Sequence, residues 1–156
     1  MDENKDENPA CENNTEKYLI FFVRDKRYAL PSRIISEVAA LEKIFPLPLV
    51  PEYIRGIINR YSVPYALIDI SYLLLNEVSN SGKLIVLKEE VDKLAFLIDD
   101  VTDIADLSPE ALMETEAEES GISGSVRAYF EWKGNQVLCI DAFELIKRIK
   151  IDFEQN

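Results

Sequence analysis

The sequence predicts a mainly β protein, two small barrels packed together with a few short helices. Three observations lead there. Short runs of branched and aromatic residues recur along the chain between turn signals, the pattern of a barrel or sandwich. A chain of 156 residues with 47% apolar side chains has the length of one compact unit and the material for a full core. Two stretches also repeat one local design: IRGII at 54–58 leading to LIDISYLL at 67–74, and ISGSV at 122–126 leading to CIDAFELI at 139–146.

Residues 1–16, MDENKDENPACENNTE, are polar and aperiodic, which predicts a flexible acidic tail. Structure is expected from Tyr18 onward. Tyr18–Val23 and Arg27–Leu30 read as strands, with the charged pair Asp25–Lys26 as the gap of a hairpin. After the Pro31–Ser32 turn, the spacing of Ile34, Ile35, Val38 and Leu41 predicts a short helical or irregular segment. Pro46, Pro48 and Pro51 remove backbone donors and restrict their predecessors, so the stretch they punctuate should be an ordered surface connection. Further strands are expected at Gly56–Tyr61, Val63–Ile68, Lys83–Lys88, Lys93–Ile98, Ser125–Trp132 and Val137–Ile140. Pro109–Ser120, rich in Ala, Leu, Met and Glu, predicts a short helix followed by an acidic loop. Gly134 marks a hairpin turn, and 151–156 is expected to be a C-terminal tail.

The repeated units give a finer expectation. In each, an Ile-x-Gly-x-Ile/Val run precedes a strand pair and an Ile-Asp step, where the carboxylate can accept from the free amides of a short helix. Asp69 and Asp141 are the expected N-caps, and Leu73, Leu74, Leu145 and Ile146 would fold those helices back onto the strands. Gly56 and Gly124 would occupy equivalent places where a side chain would strike the barrel wall. Their spacings to Asp69 and Asp141 are 13 and 17, a difference one longer hairpin would absorb.

Composition excludes much chemistry. Without His there is no Ser-His-Asp or Cys-His pair and no His-built zinc site, and two Cys cannot make a four-thiolate site. Cys11, in the polar tail, and Cys139, in an apolar run, are expected as free thiols. The acid pairs Glu89–Glu90 and Asp99–Asp100 would point to opposite strand faces rather than converge. Glycines at 56, 82, 121, 124 and 134 are too scattered for a phosphate loop. No enzyme activity, cofactor or metal is therefore expected. The net charge of -12 repels phosphate backbones and anionic headgroups, which argues against nucleic acid. The apolar runs fall far short of the ~20 residues of a membrane helix, so no direct membrane insertion is expected, and the polar start predicts a cytoplasmic location. Protein partners remain. Tyr18, Phe21, Phe22, Tyr28, Phe96, Phe130 and Trp132 are expected in the core, whereas Tyr53, Tyr61, Tyr65 and Tyr72 divide between core and interface.

The segments YALPSRIISEV (28–38), PLPLVPEYIRGIIN (46–59), PYALIDISYLL (64–74), LAFLIDDVTDIADL (94–107) and ISGSVRAYFEWKGNQVLCIDAFELI (122–146), in this order, resemble the CheW-like domain of bacterial chemotaxis over residues 17–150. The resemblance implies two five-stranded SH3-like barrels, taken here as approximate halves 17–82 and 83–150. It also implies a non-catalytic adaptor coupling transmembrane chemoreceptors (methyl-accepting chemotaxis proteins) to the histidine kinase CheA in signalling arrays. The partners it implies are the receptors' cytoplasmic tip and the CheA regulatory domain, with recruitment from the cytoplasm to membrane-associated arrays. A diverged paralogue scaffolding another signalling or motility pathway, or competing with the main coupling protein, is the alternative.

The chain departs from the family pattern at several positions. Where Gly-x-x-Asn-x-Arg-Gly is usual, the chain has Gly56 and Asn59 but Tyr61 and Ser62 at the last two positions. Ala66 replaces a usual Pro, Ser71 an Arg, and Ala95 a frequent Gly. Arg60 is one residue out of step and would face the other side of a strand, so a changed contact at Tyr61 is expected. Ile35, Glu37, Asn59 and Tyr61 are the expected protein-binding residues, with Tyr61 turning the surface from ionic towards apolar.

Overall fold

The computed structural model describes residues 14–80, 82–114 and 125–154. Of the tail expected over 1–16, residues 1–13 lie outside them, as do the acidic loop and Gly124, whereas Glu16 already belongs to a strand, paired with Leu107. The described residues form eleven strands and two α-helices. Strands β1 (Glu16–Val23) and β2 (Lys26–Pro31) open barrel I. The chain crosses to barrel II for β3 (Ile35–Ala40), β4 (Ile54–Arg60), β5 (Val63–Asp69), α1 (Ile70–Leu75), β6 (Lys83–Leu87) and β7 (Leu94–Ile98). It then returns to barrel I for β8 (Asp100–Leu107), the two-residue β9 (Met113–Glu114), β10 (Val126–Trp132) and β11 (Asn135–Ile140), and ends on α2 (Ala142–Glu154). Strand order is β9-β10-β11-β2-β1-β8 in barrel I and β3-β6-β7-β5-β4 in barrel II. The barrels therefore do not divide at 82/83. Barrel II is one continuous stretch, and barrel I is assembled from both sides of it.

Each barrel has its own interior. Ile20, Ala29, Phe130 and Val137 fill barrel I, and Ile58, Leu67, Val86 and Ala95 fill barrel II. Between the sheets lies a third apolar layer containing Phe21, Leu30, Ile68, Ile85 and Phe96, closed by Leu145 of α2. This layering explains why every residue of β7 is buried. One face fills the barrel and the other the layer between, so the strand reads as a continuous apolar run.

The internal repeat is real, in a different register. Ile54 pairs with Ile68 and Gly56 with Leu67, the ladder stepping over Arg55. Val126 pairs with Ile140 and Ala128 with Cys139, stepping over Arg127 in the same way. Asp69 N donates to Tyr53 O and Asp141 N to Ser125 O, both at 2.7 Å. Each residue of 54–74 thus has its counterpart 72 positions on, and the hairpins are equal in length. The counterpart of Gly56 is Ala128, not Gly124. Gly56 is glycine for a local reason: its φ is +141°, and a Cβ would lie 2.5 Å from Phe45 O. The expected caps are present, Asp69 accepting from Tyr72 N and Asp141 from Glu144 N, each at 3.2 Å.

A second correspondence was not visible in the sequence. Ile35 pairs with Leu87 and Glu37 with Val86, bulging at Ser36. Val101 pairs with Phe21 and Asp103 with Ile20, bulging at Thr102. β3 thus corresponds to β8, and Glu37 to Asp103. These bulges explain two corrections. β3 is a strand where a short helical or irregular segment was expected, and β8 had no predicted strand, because one extra residue breaks the period-two alternation that reveals strands. Pro109–Ala111 is a single 3-10 turn rather than a helix. Ala111 and Leu112 pack on the barrel I interior, which draws the chain into β9 instead. α2 takes in 151–154 of the residues expected as a tail, held by Ile149 in the central layer and by Tyr53 Oη donating to Asp152 Oδ2 at 2.6 Å, and 155–156 lie outside the described residues. The first hairpin turns on Arg24–Asp25, since Val23 pairs with Lys26.

Candidate docking site at the barrel seam

Strands β3 and β4 are the two edges of the barrel II sheet, so that barrel must close between them. Two devices close it. At one level Phe45 N donates to Ile57 O and Ile57 N to Phe45 O, both at 2.8 Å, against the flank of Gly56. At the mouth, Arg60 donates to Glu37 Oε2 from Nε at 3.2 Å and from Nη2 at 3.0 Å. Both partners are largely covered, Arg60 at 17% and Glu37 at 26% side-chain exposure. The hydrogen bonds that Arg60 donates to Glu37 push its pKa up, fixing its charge.

The local sequence sets this geometry. Arg60 follows Ile58 at a spacing of two and so shares its inward face, while Asn59 is exposed on the other. The next two residues, Tyr61 and Ser62, have φ of +53° and +68°, as a two-residue I′ hairpin turn requires. That turn ends the strand alternation. The Tyr61 ring therefore sits by Arg60, whose guanidinium carbon is 5.2 Å from the ring centroid, within cation–π range. Tyr61 itself is 82% exposed. Beside it, Ala40, Lys43, Phe45, Ile58, Asn59 and Arg60 line a pocket of about 230 Å³, and Lys43 Nζ stands 5.0 Å from the Phe45 ring centroid.

Of the four residues expected to bind protein, Glu37, Asn59 and Tyr61 gather at this mouth around Arg60. Ile35 does not join them. It lies across the Ser36 bulge and packs, half-buried, against the central layer. Arg60 and Phe45 were missing from the expected set. Arg60 was set aside because it faces away from its neighbours, and that same inward orientation is what brings it to Glu37. Phe45, a large apolar side chain between Ile44 and Pro46 that is nearly half exposed, carries only the faint signal of an aromatic residue at the start of the proline-punctuated connection.

Other candidates resolve differently. Asp99 Oδ2 accepts from Arg24 N at 2.7 Å while Asp100 pairs with Lys83 at 2.9 Å, so those acids serve separate partners. Among the described residues no group of three or more metal-ligating side chains converges. Burial pushes the Cys139 thiol up to about 12, where thiolate is scarce. Tyr53 and Tyr65 are core residues, and Phe22 and Trp132 are only half-buried. Ala66, in the place of the family's proline, donates its N–H to Lys93 O at 3.0 Å, a bond proline could not make. No described helix is long and apolar enough to cross a membrane.

Comparison with known proteins agrees with this architecture. The family model described as CheW-like domain matches residues 17–150. Among solved structures, the scaffolding protein TtCheW from Thermoanaerobacter tengcongensis superposes with a TM-score of 0.72 at 18% identity, covering 81% of this chain and 84% of that one. No curated relative matches.

Proposed function

The chain belongs to the CheW-like domain family, and on that premise we propose that it is a non-catalytic chemotaxis adaptor coupling chemoreceptor tips to the regulatory domain of the histidine kinase CheA. The family is one of scaffolds without catalysis, and protein partners in signalling arrays follow from membership. The observation that carries the reading is the barrel II mouth. There an exposed tyrosine is held at positive φ, a conformation costing about 1–2 kcal/mol for a residue with a Cβ. The same turn geometry recurs at Lys133 in barrel I, so what sets this mouth apart is the exposed aromatic ring it presents, aromatic residues being favoured anchors in protein interfaces.

Binding of the purified chain to a receptor tip fragment and to a CheA regulatory domain tests the reading, with both complexes expected. No complex with either would overturn it. The departures at Tyr61, Ser62 and Ser71 favour one second reading, a paralogue serving another signalling or motility pathway. Binding to that pathway's kinase in preference to the chemotaxis kinase would select it.

A further inference from the structure

Glu37 was expected as a contact residue, but the geometry gives it another task. Both donated hydrogen bonds from Arg60 end on one of its oxygens, and both side chains lie largely under the surface. What reaches solvent is Tyr61. An exposed tyrosine with nothing behind it samples several rotamers, and a partner that captures it must pay for ordering it. Here the guanidinium stands by the ring and is itself held in one plane by a two-point bond, which lysine could not reproduce.

We propose that Glu37 is a positioning residue: it pins Arg60, Arg60 holds the Tyr61 ring, and the ordered ring is what the partner meets. This rests on the adaptor reading for the identity of the partner, though not for the relay itself. Glu42 is the other carboxylate that acts on Arg60, and it is exposed, so screening by solvent weakens its claim on the guanidinium.

Two measurements test the relay. The first needs no partner: the Arg60 Nε–H resonance in the free protein is expected to exchange slowly and to carry a ring-current shift. Tyr61→Leu should abolish that shift while leaving exchange slow. Glu37→Gln probes the hold itself: the shift should collapse and exchange accelerate. An unchanged ring-current shift in folded Glu37→Gln overturns the proposal. The second is a coupling measurement with the receptor tip fragment and the CheA regulatory domain as probes. Glu37→Gln and Arg60→Lys should each weaken binding about three- to tenfold, the scale of a cation–π contact, and neither should weaken it further once Tyr61→Ala is present. An equal loss in both backgrounds makes Glu37 an independent contact and overturns the relay. Failure of the unmodified chain to bind either probe defeats the adaptor reading and leaves the resonance test to decide the relay alone. Melting temperatures identify any variant that has unfolded; should Glu37→Gln do so, Arg60→Lys, which keeps the charge, stands in for it in the binding measurement and Glu37→Asp, too short to keep the two-point bond, in the resonance measurement.

Discussion

The mouths of the two barrels are built from the same three kinds of group in different order. In barrel II the carboxylate is Glu37, the last strand residue is the cation Arg60, and the turn residue is the aromatic Tyr61. In barrel I the carboxylate is the equivalent Asp103, the strand residue is the aromatic Trp132, and the turn residue is the cation Lys133. Asp103 Oδ2 accepts from Trp132 Nε1 at 2.9 Å and from Lys133 Nζ at 2.8 Å. Both turns have positive φ at both residues, Lys133–Gly134 at +52° and +82°. The difference teaches which part of the device is structural. Closing a seam needs a carboxylate behind a bulge and a donor at the hairpin's end. What the turn then presents is free to vary, and barrel I presents a lysine at 71% exposure where barrel II presents a tyrosine.

The comparison breaks most sharply at the bulge. Gly56→Ala must place a Cβ 2.5 Å from Phe45 O and 2.8 Å from Ile44 Cγ2 at a φ of +141°, and should cost about 3 kcal/mol. The reverse change at the equivalent position, Ala128→Gly, should cost only about 0.5–1 kcal/mol. Urea denaturation of the pair checks this, and equal losses would mean the two bulges are not held differently.

The next largest effect separates the two caps. Asp69 is fully buried and, besides capping α1, accepts from Ser79 N at 3.0 Å and pairs with Arg55 at 3.2 Å. Asp69→Ala should cost about 2–4 kcal/mol, since it strands buried donors as well as the cap. Asp141→Ala should cost about 0.5–2 kcal/mol. A larger loss at Asp141 than at Asp69 would reverse the order given by burial.

A smaller effect sharpens the contrast between the turns. Ser62 carries a positive φ where its counterpart is Gly134, so Ser62→Gly should stabilise by about 0.5–1 kcal/mol and Gly134→Ser should destabilise by a similar amount. Thermal melts of the two variants read this directly. The acid limb gives a further contrast. Hydrogen bonds from Lys133 and Trp132 lower the Asp103 pKa to about 2. Its folded pKa lies below the unfolded one of about 3.9, so its contribution is complete above that value and fades as pH falls through about 2. Asp103→Asn should flatten stability between those limits, and an unchanged acid limb would contradict the pairing.

The legibility of these features followed their periodicity. β5 and β7 announced themselves through runs such as LAFLI, and the helix starts through Asp69 and Asp141, because each signal is local. β3 and β8 were hidden for a physical reason, since a bulge at Ser36 or Thr102 throws the alternation out of phase. The repeat was seen through its Ile-Asp steps but misaligned through its glycines, which serve local collisions and need not recur. At the mouth, Tyr61 was legible as a departure from a family pattern. Its partnership with Arg60 and Glu37 was not, because β3 and β4 meet only when the barrel closes and twenty-odd residues separate the pair.

On the proposed function, the barrel II mouth meets its partner through an aromatic rather than an ionic contact. The affinity of the unmodified chain and of Tyr61→Arg for a receptor tip fragment and a CheA regulatory domain, each at low and high salt, tests it most directly. An aromatic contact is little affected by screening, whereas a guanidinium in its place is weakened by added ions. A shallow salt dependence is expected for the unmodified chain and a steeper one for Tyr61→Arg. Identical affinity and identical salt dependence in the two proteins would place Tyr61 outside the interface and contradict it.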